Sequence, residues 1–255
     1  MVPHRLYGVL DGADAASAAR WADMAKAAID AVHAEGGVPI LIGGTGMYLG
    51  TLIDGIAPVP GIDPALREAV RALDTDAAIA ALAAEDPALA ARLLPGDRQR
   101  TLRGLEVVRG TGRSLLHWQA VRVGGIGAAM DVRAFVVEGD RAALNARAAA
   151  RLWAMVAAGA QDEVAALLAR GLAADRPVLR ALGVAEFGRV LAGEQPLAGA
   201  VADAATATRQ YQKRQLTWAR NQVPGWTRVA TDAEGAATVI AALTRSQARG
   251  PAGCR

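Results

Sequence analysis

A five-residue apolar run, Val38-Pro39-Ile40-Leu41-Ile42, ends in Gly43-Gly44-Thr45-Gly46. A short continuous apolar run bounded by glycines predicts a strand buried on both faces, as in a parallel sheet. Ser17 to His33 precedes it with helical composition, carrying Trp21, Met24, Ala28 and Val32 at helical spacing and ending at Gly36-Gly37. Met47 to Ile53 follows as a short predicted helix. Helix, strand, glycine loop and helix in that order restrict the chain to an α/β fold. The end of such a strand is where open α/β sheets bind ligands. Two glycines let a backbone approach closely there, and Thr45 adds a hydroxyl; glycine turns after strands are common, so the loop alone names no ligand.

Pro58, Pro60 and Gly61 break this pattern, and beyond them it reads as helices alone. Asp63-Pro64 is a helix start, with aspartate as cap and proline in the first turn, and Leu66, Val70 and Leu73 then line one face. Shorter helices follow Asp74 and Asp86. Pro95-Gly96-Asp97 opens a helix from Arg98 to about Arg109, closed by Gly110-Thr111-Gly112, and Ser114 to about Val121 precedes Gly124-Gly125. Val132 to Val137 then predicts a strand. Helices are predicted over 140–158, 162–169, within 177–190 and over 197–222, with an edge strand at 227–230 and a last helix over 232–248. The predicted organisation is an α/β core made of 1–61 and 126–255, interrupted by an all-helical insertion, 62–125.

Composition removes several alternatives. At 53% hydrophobic and 21% charged residues, 255 residues are enough for a core, and wholesale disorder is excluded. The single Cys254 allows neither an internal disulfide nor a cysteine zinc site, and His4, His33 and His117 lack metal-ligand spacing, so no protein-held metal is expected. No apolar run is long enough to span a bilayer and no charged-then-apolar leader follows Met1, so a cytoplasmic protein with no membrane partner is expected. Only Lys26 and Lys213 are lysines, and neither follows a glycine-rich loop. The sequence therefore contains no Gly-Lys-Ser/Thr phosphate loop.

Three arginine-rich helices could carry chemistry. Gln99, Arg100 and Arg103 share a face of their predicted helix, with Leu102, Leu105 and Val108 on another. Guanidinium forks match phosphate oxygens, so that stripe can grip a nucleic-acid backbone or a base edge; it also fits a solvated helix face. Arg147 and Arg151, spaced i, i+4, can clamp a polyphosphate or pair with nearby acids. Arg209, Lys213 and Arg220 share a face, Arg214 is beside them, and Tyr211 and Trp218 are placed to pack inward. Basic residues interleaved with aromatics fit nucleic-acid binding and equally an ordinary amphipathic helix.

Four blocks, in order, resemble the tRNA dimethylallyltransferases, also called tRNA isopentenyltransferases. They are Pro3-His4-Arg5-Leu6, the segment Val38 to Tyr48, Asp97-Arg98-Gln99-Arg100-Thr101-Leu102-Arg103-Gly104-Leu105-Glu106-Val107, and Ala207-Thr208-Arg209-Gln210-Tyr211-Gln212-Lys213-Arg214-Gln215-Leu216-Thr217-Trp218. The resemblance runs from Pro3 to about Gln222. It implies a P-loop-kinase-like α/β core with parallel sheet, and a helical insertion that grips the tRNA anticodon stem-loop. The implied reaction moves a dimethylallyl group from dimethylallyl pyrophosphate to the N6 amine of the adenine 3′ of the anticodon, with that base drawn out of its stack. It implies tRNA contacts for Thr45, Arg67, Gln99, Arg100 and Arg103, and pyrophosphate contacts for Arg147, Arg151, Arg209, Lys213 and Arg214. Magnesium would ride on the pyrophosphate oxygens.

Two departures accompany the resemblance. The family has Gly-Tyr-Arg where this chain has Gly183-Val184-Ala185, which removes an expected tRNA contact. The family also begins with a strand, a phosphate loop ending in Gly-Lys, a helix and a strand ending in Asp-Ser, whose aspartate is the proposed general base. That first strand, the loop and the base do not occur in this sequence. The reading is therefore a monomeric family member lacking its N-terminal catalytic unit, with Met1 expected to be internal to a longer product in preference to the alternative, a natural truncation. The 255 residues are expected to turn over little or not at all; a non-catalytic tRNA-binding fragment is the alternative.

Overall fold

Helix starts in this chain are set by short polar side chains that accept from the first free amides. The computed structural model, which describes residues 2–14 and 16–247, places eight such caps, one of them Asp232 before the last helix, accepting from the Gly235 amide at 2.9 Å. Ser17 opens α1 (Ala18–Ala34), Asp63 opens α3 (Pro64–Arg71), Asp74 opens α4 (Thr75–Glu85) and Asp86 opens α5 (Pro87–Ala90). Asp97 opens α6 (Arg98–Thr111), Ser114 opens α7 (Leu115–Gln119) and Asp140 opens α8 (Arg141–Ala157). Each cap oxygen lies 2.7–3.2 Å from its amide. Between α1 and α3 lies α2 (Gly46–Asp54). After α8 come α9 (Ala160–Ala169), a 3-10 turn (Pro177–Arg180), α10 (Val184–Leu191), α11 (Leu197–Gln222) and α12 (Ala233–Gln247). Ala248, the end of the last predicted helix, is outside the described residues.

The chain divides into two compact units, one of Leu49–Met130 and one of the residues before and after it. In the first-named, helical unit, α6 packs on α3 and α4. Val70, Ala78, Leu82, Leu89, Leu102 and Leu105 form its core, with Leu66 and Leu73 packed against them. Residues 49–61, read from sequence as part of the α/β core, belong to this unit. Ile56 bridges Val123, and the amides of Ile126 and Gly127 bond the carbonyls of Leu52 and Ile53 at 3.0 and 2.9 Å. These bonds tie the end of α2 to the segment after α7.

In the other unit, α11 packs on α8 and α10, and α10 on α9. Leu152, Ala160, Val164, Phe187, Ala200, Val201, Ala204 and Ala205 form the core. The alanines of α11 admit close helix approach, and Phe187 fills the space between. Beside this layer, β1 (Phe135–Glu138) pairs in parallel with β2 (Thr227–Ala230), Val137 opposite Val229. The pair is joined through α8 to α11, as parallel strands require a long crossover, and α12 packs on β2.

One expectation is corrected here. Residues 38–42 do not form a strand: Val38, Ile40, Leu41 and Ile42 are exposed, and no backbone hydrogen bond joins 38–44 to another described segment. A strand needs neighbours for its main-chain groups, and Pro39 supplies no donor for a central ladder. The described sheet is accordingly two strands wide. In α1 the buried seam is Ala18, Ala22, Ala25 and Ile29; Trp21, Met24, Ala28 and Val32 flank it, half-buried. Small residues make the closest contact and the larger ones rim it. Among the described residues no single helix is long and apolar enough to cross a membrane; α8 and α9 reach that length only as a pair bent by 69°.

Candidate functional site

One stripe of α11 serves two purposes along its length. Its first half presents Ala200, Val201, Ala204 and Ala205 to the helical core. Continued at helical spacing, the same face presents Tyr211, Gln215 and Trp218, and these seat the glycine loop. The Thr45 hydroxyl and Tyr211 hydroxyl share a hydrogen bond of 3.1 Å. The Gln215 amide lies against Gly44 and the Trp218 indole against Gly46, so close that a Cβ on either glycine would overlap the side chain. Gly46 is therefore required for space, and Trp218 is held further by Trp226, edge-on at 6.2 Å. Tyr48, two residues past Gly46, packs on Trp21 of α1 at 5.4 Å. Thr45 itself remains exposed.

The five residues read as anion-binding all lie in this unit and all are exposed: Arg147 and Arg151 on α8, Arg209, Lys213 and Arg214 on α11. Among the described residues none of them meets a carboxylate. Arg147 and Arg151 stand one turn apart, next to the buried Ala148 and Leu152 that seat α8. Arg209 donates to Thr206 Oγ1 at 2.7 Å. Arg209 and Lys213 each stand two residues from Tyr211, across the helix from it. Arg214 is on the loop side, its guanidinium 5.5 Å above the Tyr211 ring.

The helical unit carries the other four. Gln99 and Arg100 are exposed on the first turn of α6, and Arg100 turns back to Asp97 at 3.1 Å. Arg67 of α3 and Arg103 of α6 converge on Glu106 of α6, at 3.8 and 3.2 Å, and Arg71 of α3 joins them at 3.1 Å. The Glu106 side chain is only 4% exposed while the three arginines are 36–56% exposed. Arg98 points elsewhere: its guanidinium donates to the carbonyls of Arg71 and Leu73 at 3.1 and 2.6 Å, closing the C-terminal end of α3. Arg109 and Glu85 link α6 to the end of α4 through three hydrogen bonds of 2.6–3.1 Å, and Arg109 thereby holds the Glu85 carboxyl below its usual range.

Tyr211, Gln215, Trp218, Arg71 and Glu106 were not singled out from the sequence as site residues. The seven-residue spacing of Tyr211 and Trp218 signalled an inward face but not what it meets. Glu106 and Arg71 gave no signal, because their meeting depends on how α3 lies against α6.

The family model described as IPP transferase matches residues 1–222. A tRNA dimethylallyltransferase of Sphingopyxis alaskensis is 55% identical over 228 residues, covering 89% of this chain and 74% of that protein. Among solved structures, the full-length tRNA isopentenylpyrophosphate transferase of Bacillus halodurans is 28% identical, with a TM-score of 0.64 over 96% of this chain and 78% of that one. A eukaryotic dimethylallyltransferase acting on tRNA shares the fold at a TM-score of 0.73 and 22% identity, over 93% of this chain and 64% of that one. With a match of this extent and these relatives, the chain belongs to the IPP transferase family, the prenyltransferases that include the tRNA dimethylallyltransferases.

Proposed function

We propose that the chain binds the anticodon stem-loop of tRNA through its helical unit and the pyrophosphate of dimethylallyl pyrophosphate through its other unit. The reaction served is transfer of the dimethylallyl group to N6 of the adenine 3′ of the anticodon. The observation that carries this reading is the placement of charge. Arg147, Arg151, Arg209, Lys213 and Arg214 have no carboxylate partner among the described residues, and exposed guanidinium and ammonium groups of that kind suit a polyphosphate. Arg67, Gln99, Arg100 and Arg103 would meet the RNA, and Thr45, seated by Tyr211, would contact it from the glycine loop. A magnesium ion would be carried by the pyrophosphate oxygens, as hard divalent ions favour oxygen ligands. We place the protein in the cytoplasm as a monomer.

The 255 residues contain no Gly-Lys-Ser/Thr loop, and such a loop is the element that cradles phosphates through amides and lysine. Little or no turnover is therefore expected of this chain by itself, and a non-catalytic tRNA-binding fragment is the second reading. Label in the RNA after incubation of the purified chain with tRNA and labelled dimethylallyl pyrophosphate would sink the second. Binding of a fluorescent anticodon stem-loop tests both. Arg103→Gln should weaken it by roughly 5- to 100-fold, and absence of binding by the wild-type chain would refute the proposed function.

A further inference from the structure

Glu106 is a buried carboxylate at a place where stability does not call for one. Replacing a whole buried ion pair by apolar side chains of similar volume is commonly neutral or stabilising, so a buried pair is weak evidence of stabilisation. The carboxylate here has both oxygens engaged, Oε1 by Arg71 Nε at 3.1 Å and Oε2 by Arg103 Nη1 at 3.2 Å, with Arg67 Nε 3.8 Å from Oε2. Three guanidinium groups meet one carboxylate, so the cluster keeps two uncompensated positive charges. Its anion is hidden and its cations reach solvent. Arginine side chains are long and lose rotamer freedom when they bind. Three of them tied to one fixed carboxylate have lost part of that freedom beforehand.

We propose that Glu106 is a positioning residue for RNA contact, holding Arg67, Arg71 and Arg103 as one preorganised guanidinium cluster for phosphate oxygens of the anticodon stem-loop. Arg71 thereby joins the RNA-contacting residues. The proposal rests on the tRNA-binding reading and adds to it a residue that itself touches no RNA.

The sign of a mutational effect separates this role from simple electrostatics and from a structural brace. Removing a negative charge beside phosphate-binding arginines should tighten RNA binding if charge alone matters. If Glu106 positions the arginines, Glu106→Gln and Glu106→Leu should instead weaken binding of a fluorescent anticodon stem-loop, by about tenfold, the scale of one lost directed contact. Thermal unfolding of the same variants reports the brace. Glu106→Leu removes the shared partner of three arginines and should melt below the wild type, so affinities are compared at a temperature where each variant is folded; Glu106→Asp, which keeps the charge, should bind between wild type and Glu106→Gln. Affinity unchanged or raised in a folded Glu106→Leu or Glu106→Gln chain overturns the proposal. So does failure of all three variants to fold, which would assign Glu106 to the architecture of α3 and α6. If the wild-type chain itself binds no stem-loop, the functional reading fails, and the proposal with it.

Discussion

Replacing Gly46 with alanine puts a methyl group where the Trp218 indole lies. A Cβ on Gly46 falls 2.6 Å from Trp218 Cε3, and nearer still to Cδ2 and Cε2. Carbon atoms in contact rest at about 3.5–4.0 Å, so the indole must retreat by roughly 1 Å, or the first turn of α2 must lift. Neither movement is soft. The indole stands edge-on to Trp226 at 6.2 Å and 79°, and the adjoining Thr45 is bonded to Tyr211. Overpacking of this kind costs about 1–3 kcal/mol, an aromatic pair contributes about 0.5–1.5 kcal/mol and one neutral hydrogen bond about 1 kcal/mol. Alanine recovers at most about 1 kcal/mol over glycine within a helix, and less at its first residue. The expected balance is a loss of about 2 kcal/mol, taking the overpacking in full and the two contacts as partly kept. Urea unfolding of the purified chain measures it, and near-ultraviolet circular dichroism reports the indole geometry. The midpoint should fall and the aromatic spectrum change. The double variant Gly46→Ala, Trp218→Leu should recover much of the loss, because leucine vacates the contested volume; strict additivity of the two single changes would place their effects apart. A Gly46→Ala chain with the wild-type midpoint and spectrum would refute the seating of Trp218 on Gly46.

Other outcomes follow from the helical unit. Leu105 is fully buried among Val70, Leu82 and Leu102, so Leu105→Ala should cost about 2–5 kcal/mol; a shift below about 1 kcal/mol in the same denaturation assay would count against that packing. Asp97→Ala removes the acceptor for the Arg100 amide and should cost about 1 kcal/mol, with the helical signal slightly reduced. Glu85 is held below its usual value of 4.5 by Arg109. A carboxyl depressed on folding stabilises the fold above its unfolded value, and that stability is lost as pH falls through the folded value. The advantage of wild type over Glu85→Gln should thus be level near neutrality and shrink as pH falls below 4.5; an advantage still undiminished at about pH 2 would contradict it.

The helices were legible because their signals are local. Ser17, Asp63, Asp97, Ser114 and Asp140 announce their starts, and the structure begins each helix at the next residue. The strands at 135–138 and 227–230 were legible from short apolar or β-branched runs near their observed positions. The run 38–42 carries a stronger apolar signal and forms no strand, because a strand is a property of a pair and apolar composition says nothing about whether a partner is present. The candidate sites divide the same way. Spacing placed Arg147 with Arg151 and Arg209 with Lys213 on common faces. It could not bring Thr45 to Tyr211, 166 residues away, nor distinguish buried Glu106 from an acid on a solvated face. Arg98, which the spacing assigned no role, completes the end of α3, since two carbonyls there lie within its reach.

The unpaired segment 38–42 also bears on how the protein behaves in bulk solution. Its amides and carbonyls have no backbone partner among the described residues, and four large apolar side chains stand beside them. Such an edge is a template for strand addition between molecules, and attraction of that kind grows with concentration. A net charge of +3 spread over 255 residues gives little long-range repulsion to oppose it. Pro39 is the one local brake, since it withholds a donor from any incoming strand. These five residues, outside the core clusters, thus favour contact between molecules, and replacing Ile40 with lysine should raise the concentration at which the protein stays monodisperse.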